Sequence, residues 1–371
     1  MIELEHVTKA FADGTVAVND VSFTVEQGEL CVLLGPSGCG KTTTMKMINR
    51  LVLLTKGKIL IDGKDVQSFQ DTELRKQIGY AIQEIGLFPH MTVAENIEVV
   101  PELRGWSKAK RRERAAQLLE MVKLPPSEFM DRYPKELSGG QRQRVGVARS
   151  LGADPEYLLM DEPFGAIDPI TRVDLQNEFL KIQQDIKKTI VFVTHDIYEA
   201  IKMGDKVALM NRGELIQFDT PFNILFNPQD KFVADFVGRD RALKGLQLIR
   251  GKEVMRKSVF TASETETVED LKSRVGPEHA REDIPVVKEG GVFLGFVKLE
   301  EAESGPISEH LKHKQAVASL DTVLDEALSV MLSGERNMLA MLDNEHRLQG
   351  VLAFSDIQRA LSDADQSRGA L

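Results

Sequence analysis

Apolar and polar positions over residues 1–240 fall into short runs whose period changes repeatedly. VSFTVEQGELCVLLG sets two strand-like stretches around a turn, KTTTMKMINRLV follows with helical composition, and GKILIDGKDV gives another strand and turn. EYLLMDEP and KTIVFVTHD are continuous apolar runs that end in polar side chains. That is the pattern of strands covered on both faces in an α/β sheet, with the polar residues at the strand tips. Between them, ENIEVVPELRGWSKAKRRERAAQLLEMVKL is helical in composition, and its KAKRRER run reads as a solvated helix face.

Beyond Gly238 the punctuation changes and a repeat emerges. TVEDL at 267–271 is matched by TVLDE at 322–326, and GFVKLEE at 295–301 by GVLAFSD at 350–356, both at an offset of 55 residues. Each copy runs helix-like segment, strand (IPVVKEG or MLAMLDN), glycine turn and strand (VFLGFVKL or RLQGVLAF), a duplicated α/β module. Thr267 and Thr322 stand where they could cap the helices that follow. A linker is expected at 239–251.

Composition narrows the class. The 371 residues suit two or three domains, and 42% hydrophobic with 28% charged residues is ordinary for a folded globular chain. No apolar run approaches the roughly 20 residues a membrane-spanning helix needs. The opening MIELEHVTKAF carries acidic residues before any apolar stretch and lacks the layout of a signal peptide. Only Cys31 and Cys39 are present, which argues for a reducing compartment and against a disulfide framework. A net charge of −10 argues against a nucleic-acid partner.

The chemistry concentrates in three places. GPSGCGKTT, with Gly35, Ser37, Gly38, Cys39, Gly40, Lys41, Thr42 and Thr43, has the G-x-x-x-x-G-K-[ST] spacing between a strand and a helix. Its glycines let backbone N–H groups curl around phosphate oxygens, Lys41 adds a point charge, and Thr42 offers a hydroxyl to Mg²⁺. Asp161 at a strand end can hold the metal, Glu162 can polarise or orient an attacking water, and His195 can fix that geometry. The turn LSGGQ places Ser138, Gly139, Gly140 and Gln141 at a helix start. By itself it reads as an N-cap, and alternatively as a second anion-binding turn.

These motifs, in this order, together with Gln83 after IGYAI and the Asp168 turn FGAID, resemble the nucleotide-binding subunit of an ABC transporter. The resemblance implies an α/β P-loop ATPase core over 1–238 with a helical subdomain at roughly 86–155, binding ATP and Mg²⁺. It implies a head-to-tail homodimer in which Lys41, Thr42, Gln83, Asp161, Glu162 and His195 of one copy meet Ser138 and Gly140 of the other. Gln83 would reach Mg²⁺ or the water. Phe11 resembles the aromatic that stacks on adenine and Val16 its apolar neighbour, although Phe11 could equally be a core residue. Leu87 to Met91 would form a socket for a membrane permease subunit, or a hydrophobic staple for the helices that follow.

AIQEIGLFPHMTV, TTTMKMINRL and QDKFVADFVG look most similar to ATPases of glycine betaine, carnitine and choline importers, which commonly carry a C-terminal pair of CBS domains; here these would span 252–305 and 306–364. The expected assembly adds integral membrane permeases and an extracellular substrate-binding protein, with this chain peripheral on the cytoplasmic face of the membrane. CBS pairs imply an adenine nucleotide such as cyclic di-AMP, with Asp356 matching a ribose-binding position and Glu301 its degenerate counterpart. The alternatives are the ATPase of another solute importer and a nucleotide-regulated ABC protein without transport.

Overall fold

The computed structural model describes residues 1–81, 86–276 and 283–366, without the side chains of 185–186 and 363–366. Gln83 lies outside the described residues. The chain divides into two compact units, 1–224 with 228–236, and 225–227 with 237–371.

In the first unit the apolar runs become a six-stranded sheet. Its order is Glu214–Asp219, Lys206–Asn211, Leu30–Leu34, Thr189–Val193, Tyr157–Asp161 and Ile78–Ala81. All neighbours are parallel except the edge pair formed by Glu214–Asp219 and Lys206–Asn211. Leu30–Leu34, Tyr157–Asp161 and Thr189–Val193 are buried at every position, which is why they read as unbroken apolar runs rather than alternating ones. A four-stranded antiparallel sheet in the order Val16–Val25, Ile2–Ala10, Lys56–Ile61 and Lys64–Asp65 shares a core with it through Ile2, Val21, Leu33 and Met45. Parallel strands end at one edge, so the segments that begin at Gly35, Glu162 and Thr194 all leave the sheet on the same side, where open α/β sheets hold their ligands.

Helices Val93–Leu103, Lys108–Met121 and Gly139–Leu151 pack together within residues 86–155. The basic run is less solvated than its composition suggests. Arg111 lies 3.5 Å from Glu98 and 2.8 Å from Glu102, and Arg112 pairs with Asp131. Glu98 is buried, which raises its pKa and makes these guanidinium partners necessary.

The second unit contains the repeat. Ala262–Ser263 runs parallel to Asp283–Val287, which pairs antiparallel with Phe293–Lys298; Val317–Ser319, Met338–Leu342 and Leu348–Ala353 repeat that pattern. Corresponding strands begin at 283 and 338 and at 293 and 348, an offset of 55 in both cases. Phe293 and Phe296 of the first sheet join Leu339 and Met341 of the second in one core, so the copies are packed on each other. Thr267 caps helix Val268–Arg274 through the Asp270 N–H, whereas Thr322 caps nothing: its hydroxyl lies 2.9 Å from that of Ser319, and the following helix starts after Val323. The stretch 239–251, expected as a linker, instead forms helix Arg241–Gly245 and enters helix Gly251–Val254. Leu246 is buried in the second unit's core, because apolar side chains at 246 and 249 have a surface to cover.

Candidate functional site: a phosphate loop and its acidic partners

Strand Leu30–Leu34 delivers the chain to Gly35, and helix Lys41–Ile48 takes it away after Gly40. Gly35 and Gly40 adopt φ of 146° and 106°. A Cβ at Gly35 would stand 2.2 Å from the Met210 carbonyl oxygen, and one at Gly40 2.4 Å from that of Ala17, so both sites need glycine for close approach as well as for the turn. No side chain caps the helix start, which leaves its positive end to the loop. Lys41 is buried, and its Nζ donates to the carbonyl oxygens of Gly35 at 2.7 Å and Pro36 at 2.9 Å, which fixes the ammonium within the loop. Cys39 is buried too, its thiol pKa pushed up by burial, so its side chain faces the interior and only its backbone is available to a phosphate. Ser37 and Gly38 are exposed.

Thr42 Oγ1 donates to Asp161 Oδ1 at 3.1 Å, joining the loop helix to the end of strand Tyr157–Asp161. Asp161 is buried, and burial raises its pKa, opposed first by the Thr42 hydrogen bond; a carboxylate in this position is suited to a cation beside it. No group of three or more His, Cys, Asp or Glu able to hold a metal occurs among the described residues. One carboxylate and one hydroxyl fit Mg²⁺, which takes few protein ligands and fills its remaining positions with water and phosphate oxygens.

Glu162 follows with φ of 45°, a left-handed backbone that turns its side chain away from the strand direction. Its N–H donates to Val193 O at 3.0 Å, and its Oε1 lies 2.9 Å from His195 Nδ1. Thr194, between Val193 and His195, is buried and donates to Glu199 at 2.6 Å, which fixes the loop carrying the imidazole. The fold thus brings together Lys41, Thr42, Asp161, Glu162 and His195.

The LSGGQ turn is a separate piece of construction. Ser138 Oγ accepts the Gln141 N–H at 3.2 Å, while Gln141 Oε1 accepts the Ser138 N–H at 2.8 Å, a reciprocal cap on helix Gly139–Leu151. A Cβ at Gly139 would meet nothing within 4 Å, so that glycine answers to no neighbour inside the unit. Phe11 is 42% exposed and Val16 49%, which removes the reading of Phe11 as a core residue. Lys9 Nζ stands 4.9 Å from the Phe11 ring centroid.

In the second unit a cleft of about 330 Å³ is lined by Arg256, Ser258, Phe260, Asp283, Pro285 and Met338, among others. Asp356 is buried, accepting Arg256 Nε and the Ala353 N–H, each at 3.0 Å, so Arg256 reaches from the cleft to this carboxylate. Glu301, at the equivalent place in the first copy, is exposed and paired with Lys298 and Lys312.

Sequence reasoning missed Gln143, whose buried amide bonds the backbone on both sides of the turn after Glu162. Nothing in LSGGQRQR distinguishes it from Gln141, because its role depends on a partner chain segment about 20 residues away.

Comparison with known proteins agrees with this geometry. The ABC transporter family profile matches residues 18–165. The carnitine transport ATP-binding protein OpuCA of Listeria monocytogenes is 42% identical, covering 99% of this chain and 96% of its own length. The osmoprotectant import ATP-binding protein OsmV of Salmonella typhimurium is 43% identical over 100% and 98%. The choline transport ATP-binding protein OpuBA of Bacillus subtilis is 42% identical over 96% and 95%. A bacterial ABC transporter cassette, solved as a dimer and again in a post-hydrolysis state with ADP and Pi, aligns over 60% of this chain and 99% of its own, with 34% and 33% identity and a TM-score of 0.56 in both cases. A phosphate loop, strand-end acids and a serine-capped signature helix, Gly139–Leu151, together with identity running nearly the whole length of these relatives, lead to one conclusion: the chain belongs to the ABC transporter ATP-binding proteins.

Proposed function

We propose that this chain is the ATP-hydrolysing subunit of an importer for a quaternary amine osmoprotectant such as glycine betaine, carnitine or choline. One observation carries the reading: 42–43% identity to carnitine, osmoprotectant and choline transport proteins extends over nearly the entire chain, second unit included. An ATPase of an unrelated importer would be expected to share the first unit alone.

In this mechanism the loop from Gly35 to Thr43 cradles the phosphates, and Lys41 exchanges the Gly35 and Pro36 carbonyls for β- and γ-phosphate oxygens. Thr42 and Asp161, with Gln83, would hold Mg²⁺, which would neutralise charge on the transferring phosphoryl group. Glu162 orients the attacking water and accepts its proton, with His195 holding the carboxylate at 2.9 Å. Phe11 and Val16 offer an exposed apolar surface to adenine. Ser138 keeps its hydroxyl proton, since Oγ serves as an acceptor in the cap. With the N–H groups of Gly139 to Gln141 it meets the γ-phosphate held by a second copy, so two chains close over two nucleotides. Loss of that phosphate removes the bridge and lets them part, a motion passed to membrane permeases from the cytoplasmic face, with a substrate-binding protein supplying the solute outside.

The second unit serves as a CBS pair, at about 252–305 and 306–364, whose cleft takes an adenine nucleotide such as cyclic di-AMP. Two sheets of the same topology at an offset of 55 and a cleft of about 330 Å³ support this reading. The test is reconstitution of the chain with its membrane and binding components in vesicles. ATP-driven uptake of glycine betaine, carnitine or choline is expected, lost in Glu162→Gln. Uptake of none of them by a complex that hydrolyses ATP would refute the solute class.

A further inference from the structure

The side chain of Gln143 ties the signature helix to the backbone of the turn that begins at Glu162. Gln143 is 6% exposed and sits in the second turn of helix Gly139–Leu151. Its Nε2 donates to Glu162 O at 2.8 Å, and its Oε1 accepts the Ala166 N–H at 2.7 Å. The amide therefore spans the turn from Glu162 to Ala166, which Gly165 N–H closes on Glu162 O at 3.1 Å. The same helix start touches this segment elsewhere, for a Cβ at Gly140 would come 3.4 Å from Ala166 O. Glu162 itself is held in a left-handed conformation, φ 45°, that a glutamate adopts only under constraint from its surroundings. Three constraints are visible: the Val193 carbonyl on its N–H, His195 on its side chain, and Gln143 on its carbonyl oxygen.

We propose that Gln143 is a positioning residue for hydrolysis, clamping the Glu162–Ala166 turn to the signature helix so that the carboxylate reaches its working place only when that helix start is seated. An amide suits this task because the span needs one donor and one acceptor about a peptide's width apart. A helix start that moves when it meets the opposing nucleotide carries Gln143 with it, and so moves the Glu162 backbone. Engagement at one nucleotide is thereby transmitted to the carboxylate that serves the other. The inference rests on the proposed role of Glu162 as the group that orients water.

The test uses the full transporter in vesicles and two substitutions. Gln143→Met keeps the length and removes both bonds; Gln143→Glu keeps an acceptor for Ala166 N–H but has no proton for Glu162 O. Both are expected to lower kcat for ATP at least about tenfold, the effect of losing one buried hydrogen bond at the reacting geometry. KM for ATP and equilibrium binding of ATP should stay within about twofold, and vanadate-trapped ADP should fall in step with kcat. A role in folding alone would lower the active fraction, seen as reduced ATP-binding stoichiometry, with kcat per bound nucleotide unchanged; that result overturns the proposal. Full activity in Gln143→Glu overturns it as well, since only the Ala166 bond would then matter. Glu162→Gln is measured alongside. If it retains wild-type turnover, the reading of Glu162 fails; if it is inactive while the Gln143 variants are normal, only the clamp fails.

Discussion

Glu301 and Asp356 stand 55 residues apart at matching places in the two copies, yet their surroundings give them different chemistry. Asp356 is buried and fixed by Arg256 and the Ala353 N–H, so it orders the edge of the cleft. Glu301 lies on the surface between two lysines, and hydrogen bonds from Lys312 and then Lys298 hold its carboxyl at about 2, against an ordinary 4.5. Its pKa is depressed by folding, so the stability it contributes is fully present above about pH 4.5 and is lost as pH falls toward 2. Screening at the surface keeps that contribution small. A carbon-13 NMR titration of the Glu301 side chain is expected to show a midpoint well below 4, moving up toward 4.5 in Lys312→Gln. A midpoint at the ordinary value would show that the lysines do not hold it.

At the scale of elements, the segment from Phe88 to Thr92 shows how a loop is made rigid while its tip stays available. Asn96, fully buried on helix Val93–Leu103, accepts the Phe88 N–H at 2.8 Å and donates to the carbonyl oxygens of Phe88, Met91 and Thr92. Thr92 and Glu95 close a capping box on the same helix. Arg149 of the signature helix donates to Gly86 O at 2.7 Å, with its guanidinium 5.9 Å from the Phe88 ring. Phe88 is nonetheless 40% exposed, more than a staple inside the helical group requires. Phe88→Ala is expected to cost roughly 1–2 kcal/mol of folding stability, since the covered part of the ring leaves the interior. It should leave basal ATP hydrolysis within about twofold and cut coupled uptake severalfold. Parallel measurement of hydrolysis and uptake in vesicles checks this, and equal losses in both would return Phe88 to a packing role.

The same elements show what a sequence can carry. Strands Leu30–Leu34, Tyr157–Asp161 and Thr189–Val193 were legible because burial on both faces leaves an unbroken apolar run, and their polar ends marked the site edge. The phosphate loop was legible because its residue types and their spacing lie in one short stretch between a strand and a helix. Gln143, the partners of Arg111 and Arg112, and the exposure of Phe11 were not, since each depends on which distant segment lies opposite. Thr322 misled for a local reason: TVLD has the same capping letters as TVED, but the second helix begins one residue later.

For the whole molecule the question is whether the second unit governs the first or merely accompanies it. The division of the chain falls before the stretch expected as a linker, and Leu246 and Ile249 belong to the second unit's core. A truncation at 252 would strip those side chains of their partners and confuse lost regulation with misfolding. A change within the full chain avoids this. Ser258 is exposed and lines the cleft, so Ser258→Trp fills that space with an indole while leaving the buried residues in place. If the cleft takes a regulatory adenine nucleotide, vesicles with the wild-type complex should show uptake that responds to added cyclic di-AMP, and the Ser258→Trp complex should have lost the response. Basal ATP hydrolysis, set by residues of the other unit, should stay within about twofold of wild type, because exposed substitutions away from the core rarely cost more than about 0.5 kcal/mol. An unchanged response in Ser258→Trp, with direct binding of the nucleotide also intact, would place the regulatory site elsewhere. A parallel fall in hydrolysis and response would instead tie the second unit to the catalytic cycle itself.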